Sequence, residues 1–265
     1  LPLTTIIYHS DIIKVKQNFN LYNVINIIEK SEKTTYYDTI NFSRGGSNMS
    51  DNPRGAILQR DGQTYAIVPK IKGGLLDLET LKKLTATVEK YNIPIVKLTS
   101  AQRLALVGMK AEDIEAIWTD LGMEPAPATG SVVRSVQVCP GNAVCKNGQQ
   151  NSLQLGIKID EMFSGKALPG KVKIGVSGCP LSCAEPKVRD IGLLGKAAGW
   201  TLVAGGSAGA RPRIADQITE GLTDEQALEL IGKIIEVYGE QAKKGERVGN
   251  LIERIGLDEF KKLLL

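Results

Sequence analysis

Histidine is all but absent: the 265 residues hold one, His9. Beyond the first fifty residues there is no imidazole, which excludes a mixed Cys-His zinc site, a histidine-ligated haem and a Ser-His-Asp triad from that part of the chain. Aromatic residues are scarce at 5%. Long apolar runs are missing too, since none approaches the ~18 residues of a membrane span, and no stretch reads as a signal peptide. The net charge of +4 is mild and scattered, and no basic run is interleaved with aromatics, so neither nucleic acid nor membrane is an expected partner. A cytoplasmic setting is expected. At 42% hydrophobic and 23% charged residues, what remains is the composition of a globular protein with a sizeable core.

Cysteine is equally sparing, and its placement is informative. The four are two pairs, Cys139-x5-Cys145 and Cys179-x3-Cys183. Four thiolates on two loops suit an iron-sulfur cluster, a structural zinc or two disulfides. A reducing compartment disfavours disulfides, and zinc loops usually carry tighter C-x2-C knuckles. The cluster is the favoured reading of the three.

Residues 1–48 differ from the rest, holding six of the thirteen aromatics and two of the 28 glycines. Met49 is the first methionine, and Gly45-Gly46 can back-translate to a bacterial ribosome-binding site just upstream of it. The segment is therefore expected to be translated upstream DNA outside the fold; the alternative is a genuine extension with strand-like pieces such as Thr4 to Tyr8. From Met49 the pattern becomes regular. Thr64 to Val68, Ile95 to Leu98 and Leu104 to Val107 read as strands; helices follow Asp77 and span Ala111 to Leu121. This order suits a ferredoxin-like half-domain over 49–127, closed by a linker at Met123 to Gly130 with Pro125 and Pro127. The second domain, 128–265, is predicted to place strands at Val132–Val138, Lys171–Val176, Ile191–Leu194 and Trp200–Val203. A helix at Ser152–Phe163 and a capping box at Thr223–Gln226 opening a long helix to about Lys243 complete it, before short helices at Leu251–Ile255 and Asp258–Leu264. The fold class is α+β: a small ferredoxin-like half-domain followed by an α+β domain that carries the cysteines.

At those cysteines the chain resembles the siroheme-containing sulfite and nitrite reductases, whose ligands follow C-x5-C and C-x3-C. The likeness extends through Arg134-Ser-Val-Gln-Val-Cys139, Gly148-Gln-Gln-Asn-Ser152, Lys171-Val-Lys173, Ser177-Gly-Cys-Pro180 and Cys183-Ala-Glu185, and covers the chain from about Ala56 onward. It is most similar to the short, single-repeat, assimilatory-type forms. The resemblance implies a 4Fe-4S cluster on Cys139, Cys145, Cys179 and Cys183, with Cys183 also bridging to siroheme. It implies substrate binding by Arg134, Lys171 and Lys173, the two lysines sharing one face of a strand. Where the family's T-x-R-Q strand offers an arginine this chain has Ala101, with Arg103 two residues on as the expected substitute. Arg211 and Arg213, after Gly205, Gly206 and Gly209, are expected to pair with siroheme carboxylates, and Asn142, with Lys146, Gln149 and Asn151, to lie near the cluster loop.

The implied reaction is six-electron reduction of sulfite to sulfide, with nitrite reduction to ammonia as the alternative. A cluster-only electron-transfer protein without siroheme is the alternative of another class. No nicotinamide or flavin motif is present, so electrons are expected from a ferredoxin or a separate reductase subunit. The resemblance implies that larger family members hold two copies of this module, so a homodimer with shared sites could rebuild their architecture; the alternative is a monomer that folds both sets of residues around one cofactor.

Overall fold

A computed structural model describes residues 52–264; the expectations for residues 1–48 and His9 lie outside the described residues. The first module is a four-stranded antiparallel sheet of β1 (Ala56–Leu58), β2 (Tyr65–Ile67), β3 (Ile95–Leu98) and β4 (Leu104–Met109), in spatial order β1-β2-β4-β3. Helices α1 (Leu78–Lys90) and α2 (Ile114–Leu121) cover it. Asp77 caps α1 by accepting from the Thr80 N–H at 2.7 Å, a contact worth about 1 kcal/mol. Leu84, Ile117, Trp118 and Leu121 close on Ile67 and Leu106 to form the core. Ala111–Asp113, predicted as the start of α2, is a separate 3-10 turn.

The predicted linker is not a free tether. Pro125 pairs with Pro69, the Ala126 N–H donates to the Val68 carbonyl, and Lys70 donates back to Glu124, so the segment lies antiparallel beside the chain leaving β2.

The second module is a five-stranded mixed sheet of β5 (Gln137–Val138), β6 (Ile174–Ser177), β7 (Ile191–Lys196), β8 (Gly199–Ala204) and β9 (Asp216–Leu222), in sequential order. The β5-β6-β7 triplet is parallel and the β7-β8-β9 triplet antiparallel. Helices α3 (Ser152–Phe163), α4 (Asp224–Gln241), α5 (Val248–Ile255) and α6 (Leu257–Leu264) pack on it through residues such as Leu155, Ile159, Ile231, Ile234, Ile252 and Phe260. The predicted capping box forms: Gln226 N–H donates to the Thr223 hydroxyl and Thr223 N–H to the Gln226 side chain. Among the described residues no helix is long and apolar enough to cross a membrane.

Two predicted strands are shortened for one physical reason. In Val132–Val138 only the last two residues form a ladder, because the Val136 N–H is taken by the Asp160 carboxylate at 2.9 Å. In Lys171–Val176 the ladder starts at Ile174, because the Lys173 N–H is taken by the Asp190 carboxylate at 2.7 Å. Side chains stand in for strand partners at both places, and both adjoin the site.

Candidate functional site: a cationic cavity and a cysteine loop pair

Three parallel strands share a polarity that organises the chemistry. Arg134 precedes β5, Lys171 and Lys173 precede β6, and Arg189 precedes β7, so four cations gather at the strands' N-terminal ends. Cys139 follows β5 and Cys179 follows β6, so the cysteines leave from the opposite ends. With an extended rise of about 3.3 Å per residue, Lys173 and Cys179 can lie roughly 20 Å apart.

A cavity of about 300 Å³ occupies the cationic end, lined by Ser100, Ala101, Arg103, Ala128, Arg134, Ser135, Gln137, Lys171, Lys173 and Arg189. Five of these are cations and none is an acid. Arg103 arrives from the other module: the turn between β3 and β4 docks on β5 through the Gln102 side chain, which donates to the Val138 carbonyl at 2.8 Å and accepts its N–H at 2.9 Å. Gln137 returns a hydrogen bond to the Ser100 carbonyl at 2.6 Å, and Arg103 donates to the Ser135 carbonyl at 2.9 Å. Ala101, where the resembled family has arginine, lines the same cavity, and Arg103 brings a guanidinium there.

Arg134 is held by the carbonyls of Ala128 and, at 2.8 Å, Gly130. Even so, the Nε atoms of Arg103, Arg134 and Arg189 and the Ser135 hydroxyl are buried without partners, four of the seven such side-chain atoms among the described residues. Buried donors are nearly always satisfied in native proteins. Their concentration in one acid-free cavity is an arrangement that an oxyanion could satisfy.

Burial, reinforced by Arg189, Lys171 and Arg247 and opposed by Asp190, lowers the Lys173 pKa below the usual lysine value. A lysine so shifted is cationic at low pH and loses its charge earlier than usual as pH rises. Oxyanion affinity is therefore expected to fall with rising pH before the ordinary lysine range is reached. Calorimetric titration with sulfite across that range checks this, and Lys173→Arg should flatten the fall; an equally pH-dependent Lys173→Arg protein would assign it elsewhere.

Behind the lysines lies a buried ion pair. Asp190 accepts two hydrogen bonds from Arg247, at 2.8 and 2.6 Å, besides the one from the Lys173 N–H. Burial pushes its carboxyl up, and these three donors pull it back. The pair ties the first residue of α5's cap to the strand that carries the lysines.

At the other end of the strands the two cysteine loops interlock. The N–H groups of Gln149 and Gln150 both donate to the Gly178 carbonyl, and Asn142 N–H donates to Gln150. A Cβ at Gly178 would sit 2.6 Å from the Gln150 carbonyl oxygen. All four thiols are free; Cys139 and Cys179 are buried, Cys145 and Cys183 exposed. Gly178 N–H donates to the Cys139 sulfur at 3.1 Å, and the Ser152 hydroxyl lies 3.2 Å from it. Hydrogen bonds to sulfur stabilise cluster thiolates and tune their potential. Among the described residues no three His, Cys, Asp or Glu side chains stand where they could hold one metal ion. Donors aimed at the Cys139 sulfur are what an iron-sulfur thiolate uses. Asn142 is exposed beside them, as are Lys146 and Gln149, while Asn151 is spent capping α3.

The remaining predicted contacts are elsewhere. Arg213 donates to Asp216 at 2.6 Å, to Glu253 at 3.1 Å and to the Gly205 carbonyl at 3.0 Å. Arg211 is 80% exposed and pairs with Glu253 at 3.2 Å. Both border a second cavity of about 260 Å³, with Lys171, Arg247 and Asn250. Gly205 and Gly206 have packing reasons: a Cβ would lie 2.9 Å from Ile252 at the first and 2.6 Å from the Arg189 carbonyl at the second.

Family models agree with this division. Residues 57–123 match the nitrite/sulfite reductase ferredoxin-like half domain, and 129–265 match the nitrite and sulphite reductase 4Fe-4S domain. The chain belongs to the nitrite and sulfite reductase family. It is accordingly an oxidoreductase with that family's iron-sulfur domain. Among its relatives, the assimilatory-type sulfite reductase of Nitratidesulfovibrio vulgaris is 46% identical over 82% of this chain and 100% of its own length. The NAD(P)H nitrite reductase of Bacillus subtilis is 40% identical over 79% of this chain but only 26% of its own length. The solved structure of Mycobacterium tuberculosis NirA shares the fold, with a TM-score of 0.70 at 18% identity, over 95% of this chain and 51% of that one.

Within this family's chain, Arg189 and the Asp190–Arg247 pair are what sequence reading missed. The available signal for Arg189 was positional: a cation just before a parallel strand, as Lys173 is before β6.

Proposed function

We propose that this chain reduces sulfite to sulfide, taking six electrons and six protons and releasing three waters. The observation that carries the reading is the acid-free cavity with five cations and four unpaired buried polar atoms. Full-length similarity to an assimilatory-type sulfite reductase supports sulfite over nitrite. Cys139, Cys145, Cys179 and Cys183 would hold a 4Fe-4S cluster, and Cys183, exposed at the loop surface, would also bridge to siroheme. When bound, these groups supply single electrons to the substrate's central atom. The chain's own residues do the rest: Arg134, Arg103, Lys171 and Lys173 bind and orient the anion, and the lysines deliver protons to its oxygens. Arg211 and Arg213 would reach acidic groups of the macrocycle only by exchanging Asp216 and Glu253 for them. Electrons would come from a ferredoxin or a separate reductase subunit, in the cytoplasm, and we take 49–127 and 128–265 as the two working modules.

The two halves of the site face opposite ends of β6, which favours a two-fold dimer in which one copy's cations meet the other's cysteines. A surface for it exists on the first module. All four residues of the edge strand β3 are exposed, and Leu75, Leu78, Leu81, Ile95, Val96 and Leu98 form six of the eleven large exposed hydrophobics among the described residues. Together these exposed side chains make an apolar patch of the kind that partners cover.

Absorption spectroscopy of the purified chain, followed by sulfide release from sulfite with a reduced chemical donor, tests the assignment. Siroheme's red bands and sulfide formation are expected. A brown cluster spectrum without red bands would leave an electron-transfer protein, and a colourless chain would remove both cofactors.

A further inference from the structure

We propose that Arg189 is a fifth anion-binding residue of this cavity, one that discriminates doubly charged sulfite from singly charged nitrite, and that Glu185 competes with the anion for its guanidinium. The inference rests on the cavity being the substrate site. Arg189 leads into β7 as Lys173 leads into β6, and its side chain is 8% exposed. Among the described residues its only side-chain partner is Glu185, four residues earlier and largely exposed, and its Nε has none. A guanidinium offers five donors, and leaving them unfilled in a buried site costs free energy that an oxyanion would recover.

The backbone is shaped to put it there. Gly175, in the middle of buried β6, has no side chain where a Cβ would stand 3.1 Å from the Arg189 Cγ and 2.7 Å from the Ala184 carbonyl oxygen. A glycine inside a strand marks such a close approach. On the far side, Gly206 presses on the Arg189 carbonyl, so the residue is held from both directions.

Charge arithmetic gives the selectivity. To first order a dianion gains twice what a monoanion gains from each cation. The acids nearby offset this only in part: Asp190 is paired with Arg247, and Asp160 faces Lys70 at 3.5 Å and accepts from the Val136 N–H. Removing one cation should thus weaken sulfite more than nitrite. Glu185, 58% exposed, is the one carboxylate among the described residues that pairs with the guanidinium, and neutralising it should release the guanidinium to the anion.

The test compares Arg189→Gln, Arg189→Lys, Glu185→Gln and Lys173→Ala holoenzymes, each confirmed by an unchanged cofactor spectrum. Steady-state constants for sulfite and nitrite are measured with one reduced donor, and sulfite binding by calorimetry. Arg189→Gln should raise the KM and Kd for sulfite about tenfold and those for nitrite about threefold, with kcat within about twofold. Arg189→Lys, which keeps the charge, should show a smaller rise of about threefold, and Glu185→Gln should lower the sulfite constants by about twofold. A structural role alone would not produce that opposite sign. Equal losses for both anions, or an unchanged sulfite Kd in Arg189→Gln while Lys173→Ala raises it, would overturn the assignment. If neither variant moved either anion, the cavity reading itself would fall.

Discussion

Chains inactivated by Cys183→Ser and chains inactivated by Lys173→Ala should recover activity when mixed. Each variant alone is expected to lose at least about 100-fold in turnover, the usual cost of removing an essential electrostatic or ligand group. In a shared-site dimer, one site of the heterodimer combines both damaged residues and the other combines both intact ones. Random exchange makes half the dimers heterodimeric, so recovery should reach about a quarter of the wild-type rate. Val96→Lys, placing a charge on exposed β3, should abolish both the dimer and the recovery. Subunit exchange confirmed by mass spectrometry, with turnover still at background, would rule out sites shared between copies.

Asp190→Asn should be the most destabilising single substitution near the site. Asp190 is fully buried and satisfies two Arg247 donors and the Lys173 N–H. Removing one partner of such a pair strands the other charge and costs about 3–5 kcal/mol. For a domain of this size that corresponds to a fall in Tm of roughly 10 °C. The double variant Asp190→Asn with Arg247→Gln should be less damaged than the sum of its parts, because neither charge is then stranded. Denaturant unfolding of all four proteins gives the coupling. A loss below about 1 kcal/mol in the single variant would show that water, rather than Arg247, satisfies the carboxylate.

Local signals were legible wherever chemistry and neighbours in sequence coincide. The α1 cap at Asp77, the Thr223–Gln226 box and the apolar faces of α2 and α3 follow from spacing alone. Two strands were not legible. β1 has only three residues, and β9 buries just Ile218 and Leu222 among Asp216, Gln217, Glu220 and Gly221, so its alternation is broken. The glycines 205 and 206 read as a cofactor loop, yet each also clears space for neighbouring backbone or side chain. A close approach between distant segments leaves no periodic trace in sequence.

By itself the sequence determined the kind of chemistry: two cysteine pairs, no histidine beyond His9, paired lysines two residues apart and an arginine ahead of the first pair. Those follow from which side chains exist and which covalent spacings separate them. Tertiary structure decided which of the charges meet. Parallel register of β5, β6 and β7 gathers Arg134, Lys173 and Arg189 at one end, and docking of the β3–β4 turn adds Arg103. The same parallel register sends the cysteines to the opposite end. Strand direction is a property of pairing between segments far apart in the chain, and so is the burial that leaves the arginine donors unfilled.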